Sequence, residues 1–123
     1  MTKEAFYSKW MKSFAADISE KDIQKYVVST GNYILHIFSW KLLNDNLYLT
    51  GNAAREAYDK IDKSGAVYIE WFDYGHTKDM GINLNTAKAL DKFVEVYVVS
   101  KNFEWTYIKT HESMCGPYFM LSK

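Results

Sequence analysis

The stretch that decides the fold runs Phe93-Val-Glu-Val-Tyr-Val-Val-Ser100, then Lys101-Asn102, then Glu104-Trp-Thr-Tyr-Ile-Lys-Thr110. Two runs of β-branched and aromatic residues flank a short polar segment, a composition typical of two strands joined by a turn. We therefore predict an antiparallel hairpin here. Further strands over 66–73 and 118–121 would extend the hairpin into a sheet.

Helical periodicity dominates the part of the chain before these strands. Phe6, Trp10 and Phe14 recur every four residues and predict an amphipathic helix. Ser19 is a residue type that caps helix starts, and Gly31 is one that ends helices. The predicted helical segments are 3–16, 20–29, 52–64 and 85–92.

The segment Asn32-Tyr-Ile-Leu-His-Ile-Phe-Ser-Trp40 is ambiguous. Its β-branched and aromatic content favours a strand that is covered on both faces. A helix that continues through Leu43 is the alternative, because short apolar runs occur in both structures. The segment 33–43 is therefore left open between strand and helix.

Helices in the first half and strands in the second half predict an α+β fold rather than a doubly wound one. We expect a mainly antiparallel sheet of four to five strands, with three to four helices packed largely on one face. No linker composition interrupts the 123 residues, so a single domain over 1–123 is expected.

Charge and cysteine content exclude several classes of protein. Fifteen basic residues balance fifteen acidic ones, which argues against nucleic-acid binding because that affinity comes largely from neutralising phosphates. The single Cys115 forms no intrachain disulfide and suits a reducing compartment, so a cytoplasmic location is expected. No stretch reaches the ~20 apolar residues that a membrane helix needs.

Reactive side chains crowd the stretch after the predicted hairpin. His111, Glu112 and Cys115 lie within five positions, and His36 or His76 could join them from elsewhere in the chain. An imidazole beside a thiol or a carboxylate can support nucleophilic or acid–base catalysis. The structural alternative is that Cys115 packs as a small apolar side chain and that His111 caps the strand end.

The sequence predicts neither a metal nor a cofactor. The histidines and the cysteine show no HExxH or CxxC spacing, and no glycine-rich phosphate loop is present.

Aromatic residues are abundant, with 21 Phe, Trp and Tyr among the 123 residues. On an open sheet they could stack nucleobases, but with zero net charge they more plausibly fill the layer between helices and sheet. Rings left outside are typical contact residues for protein partners. The expected partner is another protein or a second copy, and the candidate binding residues are Trp71, Tyr74, Trp105, Tyr107, Thr110 and His111.

Two blocks, Tyr33-Ile-Leu-His-Ile-Phe-Ser-Trp40 and Trp105-Thr-Tyr-Ile-Lys-Thr-His-Glu-Ser-Met-Cys-Gly-Pro-Tyr-Phe119, carry a resemblance to a known family. The chain resembles a small uncharacterised family of Gram-positive bacteria, grouped as a domain of unknown function. The resemblance implies a bacterial cytoplasmic origin and brings no activity with it. It directs attention to His36, Ser39, Trp105, Thr110, His111 and Glu112.

These observations favour a binding, accessory or regulatory module without catalytic activity. The alternative is a small hydrolase-like enzyme with a Cys/His/Glu site in the loop 111–117.

Overall fold

The structure is a computed structural model that describes residues 1–71, 76–112 and 116–122. The helices of the described residues are α1 (Lys3–Phe14), α2 (Glu20–Tyr26), α3 (Leu35–Ser39), α4 (Gly51–Lys60) and α5 (Ala87–Leu90). The strands are β1 (Tyr48–Thr50), β2 (Val67–Glu70), β3 (Lys78–Asp79), β4 (Val96–Val99), β5 (Trp105–Lys109) and β6 (Tyr118–Leu121). Short 3-10 turns lie at Val28–Thr30, Asp45–Leu47 and Ile82–Leu84.

The first two helices form where the sequence predicts them. The Thr2 hydroxyl caps α1 by accepting a hydrogen bond from the Ala5 amide, and Ser19 caps α2 in the same way from the Asp22 amide. A 3-10 turn follows α2, and Gly31 ends it with a φ of 109°. Capping and apolar spacing are local features, which is why the sequence alone locates these elements.

The preferred strand over 32–40 is wrong, because the structure forms the short helix α3 there. Ile34, Ile37 and Phe38 are buried at helical spacing together with Leu35, while His36 between them remains partly exposed. A strand would place alternate residues on one face, and that pattern does not bury this set. Lys41 takes a positive φ of 55° just beyond the helix, so the helix does not continue through Leu43.

The six strands form one antiparallel sheet in the order β1-β6-β5-β4-β2-β3. The predicted hairpin is confirmed, with Val98 opposite Tyr107 in the β4–β5 register, and β6 covers the predicted residues 118–121. The α+β class is therefore confirmed. The sheet has one strand more than predicted because β1 and β3 are too short to leave a clear pattern of alternation.

Helices cover both faces of the sheet, and the prediction that they pack largely on one face is wrong. Every residue of β4 is buried, so both of its faces need cover. Tyr97 and Val99 point to the side of α1, α2 and α3, which we call the front face. Val96 and Val98 point to the side of α4 and α5, which we call the back face.

A polar contact ties α1 to the centre of the front face. The buried indole of Trp10 donates from Nε1 to Thr106 Oγ1 at 3.0 Å, and the Thr106 hydroxyl donates to the Val98 carbonyl at 2.9 Å. This chain of bonds orients the first helix on the sheet and satisfies buried polar atoms that would otherwise be costly.

Candidate functional site

Four of the residues singled out for binding are buried. The Trp71 ring lies in the front-face core, Trp105 and Tyr107 lie in the back-face core, and Thr110 is buried at the end of β5. The sheet separates Trp71 from the other two rings, so the structure does not bring them together. Two further predicted residues, Tyr74 and Cys115, lie outside the described residues.

A buried carboxylate organises the site. Glu95 lies one residue before β4 with its side chain fully buried, and its Oε1 is 2.6 Å from His111 Nδ1. The same oxygen accepts from the His111 backbone amide at 3.3 Å, and Oε2 accepts from the Tyr97 hydroxyl at 2.5 Å. A buried carboxylate needs such partners, because desolvating a charge without them costs several kcal/mol. When Glu95 is ionised, His111 Nδ1 is the donor in this contact, because a carboxylate only accepts.

Tyr97 stays protonated in this arrangement. Burial, and after it the charge of Glu95, raises the pKa of the Tyr97 hydroxyl well above its usual 10.0. Its ring is held between Phe6, at 6.5 Å between centroids, and Trp71, at 5.0 Å. The front-face core therefore positions the donor that holds one oxygen of Glu95.

The second histidine of interest, His36, lies on α3 and is oriented by Thr30. The two side chains meet at 2.7 Å between His36 Nδ1 and Thr30 Oγ1. The Thr30 hydroxyl donates to the Tyr26 carbonyl at 2.6 Å, which leaves the imidazole as the donor in the contact with His36. Both imidazoles are thus anchored through Nδ1.

Tyr33 joins the two histidines. Its ring centroid lies 5.5 Å from that of His36 and 5.4 Å from that of His111. The structure therefore brings together two candidate residues that are 75 positions apart in the sequence. The other histidine considered, His76, pairs with Thr2 in an isolated bridge.

Trp40 extends this row of rings. It follows His36 by one helical turn, is 56% exposed, and lies with its ring centroid 5.3 Å from that of Tyr26. The Thr30 hydroxyl contacts both the Tyr26 carbonyl and His36, so this pair of rings lies close to the group formed by Tyr33, His36 and His111. We call this surface the ring strip, and its members are Tyr26, Tyr33, His36, Trp40 and His111.

A depression of about 220 Å³ lies beside His111. His111 Nε2 is 3.7 Å from Glu112 Oε1, and the Thr110 hydroxyl donates to the Glu112 carbonyl at 2.9 Å. The far wall contains Arg55, whose guanidinium makes two hydrogen bonds with the Asp91 carboxylate at 2.7 and 3.0 Å. Lys109 also lines the depression and donates from Nζ to the Phe93 carbonyl at 2.6 Å. Both cations of the depression are therefore engaged, Arg55 by an acid and Lys109 by the backbone.

Residues 1–71, 76–112 and 116–122 contain no cluster of three or more His, Cys, Asp or Glu side chains that could hold a metal ion. The most important residue that sequence reasoning missed is Glu95. The sequence does contain a feature that could have identified it, since Glu95 is the single acid in the apolar and aromatic run 93–99. An acid that is buried in such a run needs a dedicated partner, so its presence indicates a specific contact.

The family described as "Domain of unknown function (DUF4275)" matches residues 3–119. No curated protein and no solved structure matches the chain. Among the described helices, each is too short or too polar to cross a membrane.

Proposed function

The chain belongs to the DUF4275 family, and we propose that it is a protein-binding module that contacts its partner through the ring strip. The observation that carries this proposal is the exposure of Trp40, whose ring packs against that of Tyr26. The other three tryptophans, Trp10, Trp71 and Trp105, are buried in the core. An exposed Trp is therefore the exception in this molecule.

The rings of the strip are held in place before any partner arrives. Thr30 anchors His36, Glu95 anchors His111, and Trp40 packs against Tyr26. Side chains that are already ordered lose little entropy when they are buried at an interface, so they contribute more to affinity. Tyr and Trp are also enriched among the residues that dominate binding energy.

A protein partner fits this surface better than a nucleic acid does. Rings alone can stack on bases, but affinity for nucleic acid depends largely on basic residues, and the chain has zero net charge. The role we propose is that of an accessory or regulatory module. The single cysteine supports a reducing, cytoplasmic setting, and the resemblance of the two sequence blocks supports a bacterial one.

The test compares two exposed apolar residues in a capture experiment. Tagged wild-type protein should retain one specific protein from extract of the cells that produce it, and Trp40→Ala should reduce the affinity for that protein by at least tenfold. Ile82→Ala is the matched control, because Ile82 is 93% exposed outside the strip, and it should bind as the wild type does. Equal binding by Trp40→Ala and wild type would refute the strip as the contact surface.

A small hydrolase is the second candidate function, and the Glu95–His111 contact favours it. A buried carboxylate on Nδ1 orients an imidazole and stabilises its charged form, an arrangement that acid–base catalysts use. In this version His111 moves the proton and Glu112 or Cys115 takes part in the reaction, although Cys115 lies outside the described residues.

The hydrolase can be separated from the binding module with the same variants. Hydrolysis of p-nitrophenyl acetate above the solution background should fall at least tenfold in His111→Gln and stay unchanged in Trp40→Ala. Circular dichroism shows whether each variant is folded. Rapid alkylation of native Cys115 by iodoacetamide near pH 7 would support an activated thiol, and slow alkylation would count against it.

A further inference from the structure

The two edges of the sheet differ in a way that matters for self-association. The β3 edge consists of Lys78 and Asp79, and charged side chains discourage pairing with another strand. The β1 edge reads Tyr48-Leu-Thr50 and carries no charge. In the part of the chain that the structure describes, β1 pairs with β6 on one side and has no strand on the other. One edge is therefore protected and the other is not.

The register shows which backbone groups β1 presents outward. Gly51 donates to the Pro117 carbonyl at 3.0 Å, and hydrogen-bonded pairs alternate along an antiparallel ladder. Leu49 opposite Phe119 is therefore the next hydrogen-bonded pair, and the amide groups of Leu49 point to β6. The N–H and C=O groups of Tyr48 and the N–H group of Thr50 point away from the sheet, whereas the carbonyl of Thr50, the N-cap residue of α4, accepts the first hydrogen bond of that helix. Two donors and one acceptor are thus available along this edge.

Apolar side chains line the same edge on the back face. Leu49 lies opposite Phe119 and Leu121 lies opposite Trp105, and both of these partners belong to the back-face core. Leu49 is 44% exposed and Leu121 is 59% exposed. Isolated leucines on a surface need no explanation, but these two lie side by side at an unpaired strand edge and form a small apolar patch.

The start of α4 adds a charge argument. Thr50 makes no side-chain capping bond, and the first turn of α4 contains no acidic residue, so the positive end of this ten-residue helix lacks a local anion. An acid lies just upstream of β1, at Asp45. In an antiparallel pair of β1 strands, the segment before β1 of one copy runs beside the start of α4 in the other.

We propose that the β1 edge is a self-association surface, on which β1 of a second copy pairs antiparallel about a two-fold axis at Leu49. Tyr48 then lies opposite the second copy's Thr50, and the Thr50 N–H group of each copy donates to the Tyr48 carbonyl of the other, which gives two hydrogen bonds. Leu49 faces its own counterpart in a pair without direct hydrogen bonds, and the leucines of both copies meet on the back face. Asp45 of each copy approaches the positive end of the other copy's α4.

A second copy fits this edge because every contact is reciprocal, as a two-fold interface requires. The uncharged β1 strands of the two copies face each other, and Asp45 of each copy lies near the start of the other copy's α4, whose first turn contains no acid. Four leucines and two three-residue strands bury less than the roughly 1,200–2,000 Å² of stable interfaces. The association is therefore weak and depends on concentration.

The first test is sedimentation equilibrium of the full chain from about 10 µM to about 1 mM, a range that covers weak dimers. The wild type should rise from the mass of one chain toward that of two. Leu49→Lys, an exposed edge substitution, should keep the mass of one chain throughout. Ile82→Lys is the matched control and should behave as the wild type does. A wild type that stays monomeric to the top of the range would overturn the proposal, as would a dimer that Leu49→Lys leaves intact.

A cross-link tests the register directly. Residues in an antiparallel pair without direct hydrogen bonds have Cα atoms about 4.5 Å apart, within the roughly 4.4–6.8 Å that a disulfide spans. Oxidation should therefore give a covalent dimer of Leu49→Cys at high concentration, while the wild type and Ile82→Cys stay largely single chains. If Leu49→Cys forms no more dimer than Ile82→Cys, the register is wrong. If Trp40→Ala abolishes the dimer and Leu49→Lys does not, the ring strip is the self-association surface and this proposal fails.

Discussion

The two faces of the sheet each bury a central tyrosine, but they treat its hydroxyl differently. On the front face Tyr97 donates to the buried carboxylate of Glu95, which also holds His111. On the back face Tyr107 packs with its ring centroid 4.6 Å from that of Tyr58, and its hydroxyl faces the guanidinium of Arg55 rather than a buried acceptor. The Tyr58 hydroxyl donates to the Leu84 carbonyl at 2.8 Å.

This difference shows that a chain of hydrogen bonds connects the polar groups of the front-face core to the surface, whereas the described residues of the back-face core form no such chain. The back face is an aromatic layer in which the Tyr58 hydroxyl bonds a backbone carbonyl and Tyr107 acts mainly by filling space. The front face contains a polar network that begins in the core at Tyr97, passes through Glu95, and reaches the surface at His111. A buried acid is an expensive way to stabilise a fold, so its presence beside the ring strip supports a role in positioning His111.

The largest effect that would separate the two faces is expected from Trp10→Ala. The substitution removes a fully buried ring and the donor to Thr106, so it should lower the free energy of unfolding by ~3–5 kcal/mol. Urea denaturation measures the loss. Trp10→Phe keeps most of the ring and should lose less. A loss below about 1 kcal/mol for Trp10→Ala would show that α1 is peripheral to the front face.

Removing the buried acid should have the next largest effect. Glu95→Ala leaves the Tyr97 hydroxyl and His111 Nδ1 without their acceptor, so a loss of about 3 kcal/mol is expected. Glu95→Gln keeps the shape and one acceptor oxygen and should cost less. Urea denaturation at pH 7 provides the measurement. Equal stability of Glu95→Ala and wild type would mean that the network does not contribute to the fold.

Removal of the two tyrosine hydroxyls, one at a time, compares their contributions to stability on the two faces. At pH 7, Tyr97→Phe removes a donor from Glu95 and should cost about 1–3 kcal/mol, since a buried acceptor loses its partner. Tyr107→Phe removes a hydroxyl that faces the partly exposed Arg55 guanidinium and leaves no buried acceptor without its donor, so it should change stability by no more than about 0.5 kcal/mol. Thermal or urea unfolding of the two variants tests the contrast, and equal losses would contradict it.

The same two variants should behave alike in alkali. Burial raises the pKa of both hydroxyls above the 10.0 of the unfolded chain, strongly at Tyr97, and at Tyr107 against the opposing charge of Arg55. Above pH 10 the unfolded chain loses protons that the native chain keeps, so stability falls as pH rises, by about 1.4 kcal/mol per pH unit for each such tyrosine. Each Tyr→Phe variant should flatten this fall. A wild type equally stable at pH 7 and pH 11 would contradict the assignment.

The smallest effect is expected at the surface of the back face. Arg55 and Asp91 form a paired contact with side chains that are 30% and 46% exposed, and such pairs contribute only about 0.2–1 kcal/mol. Arg55→Ala should therefore change the free energy of unfolding by less than 1 kcal/mol, and by less still at high salt. A much larger loss would show that the guanidinium also supports Tyr107 beneath it.

Local features of the sequence were sufficient for most of the fold. The caps at Thr2 and Ser19 lie within three residues of their partners, and the β4–β5 hairpin joins neighbouring segments. The prediction of a strand over 32–40 was wrong because the strand propensity of these residues conflicts with a burial pattern that only the packed sheet reveals. The strands β1 and β3 escaped notice because two or three residues do not establish alternation.

The candidate site was harder to predict from the sequence than the fold, because tertiary contacts assemble it. From the sequence, His36 and His111 could be named as reactive residue types, but not placed on two sides of Tyr33. Glu95 lies sixteen residues from His111, and nothing local connects them. The sequence by itself determined the class of fold and most of its helices and strands, because capping and periodicity act over a few residues. Only the tertiary structure decided which rings fill the core and which face outward, because burial depends on what packs against both faces of the sheet.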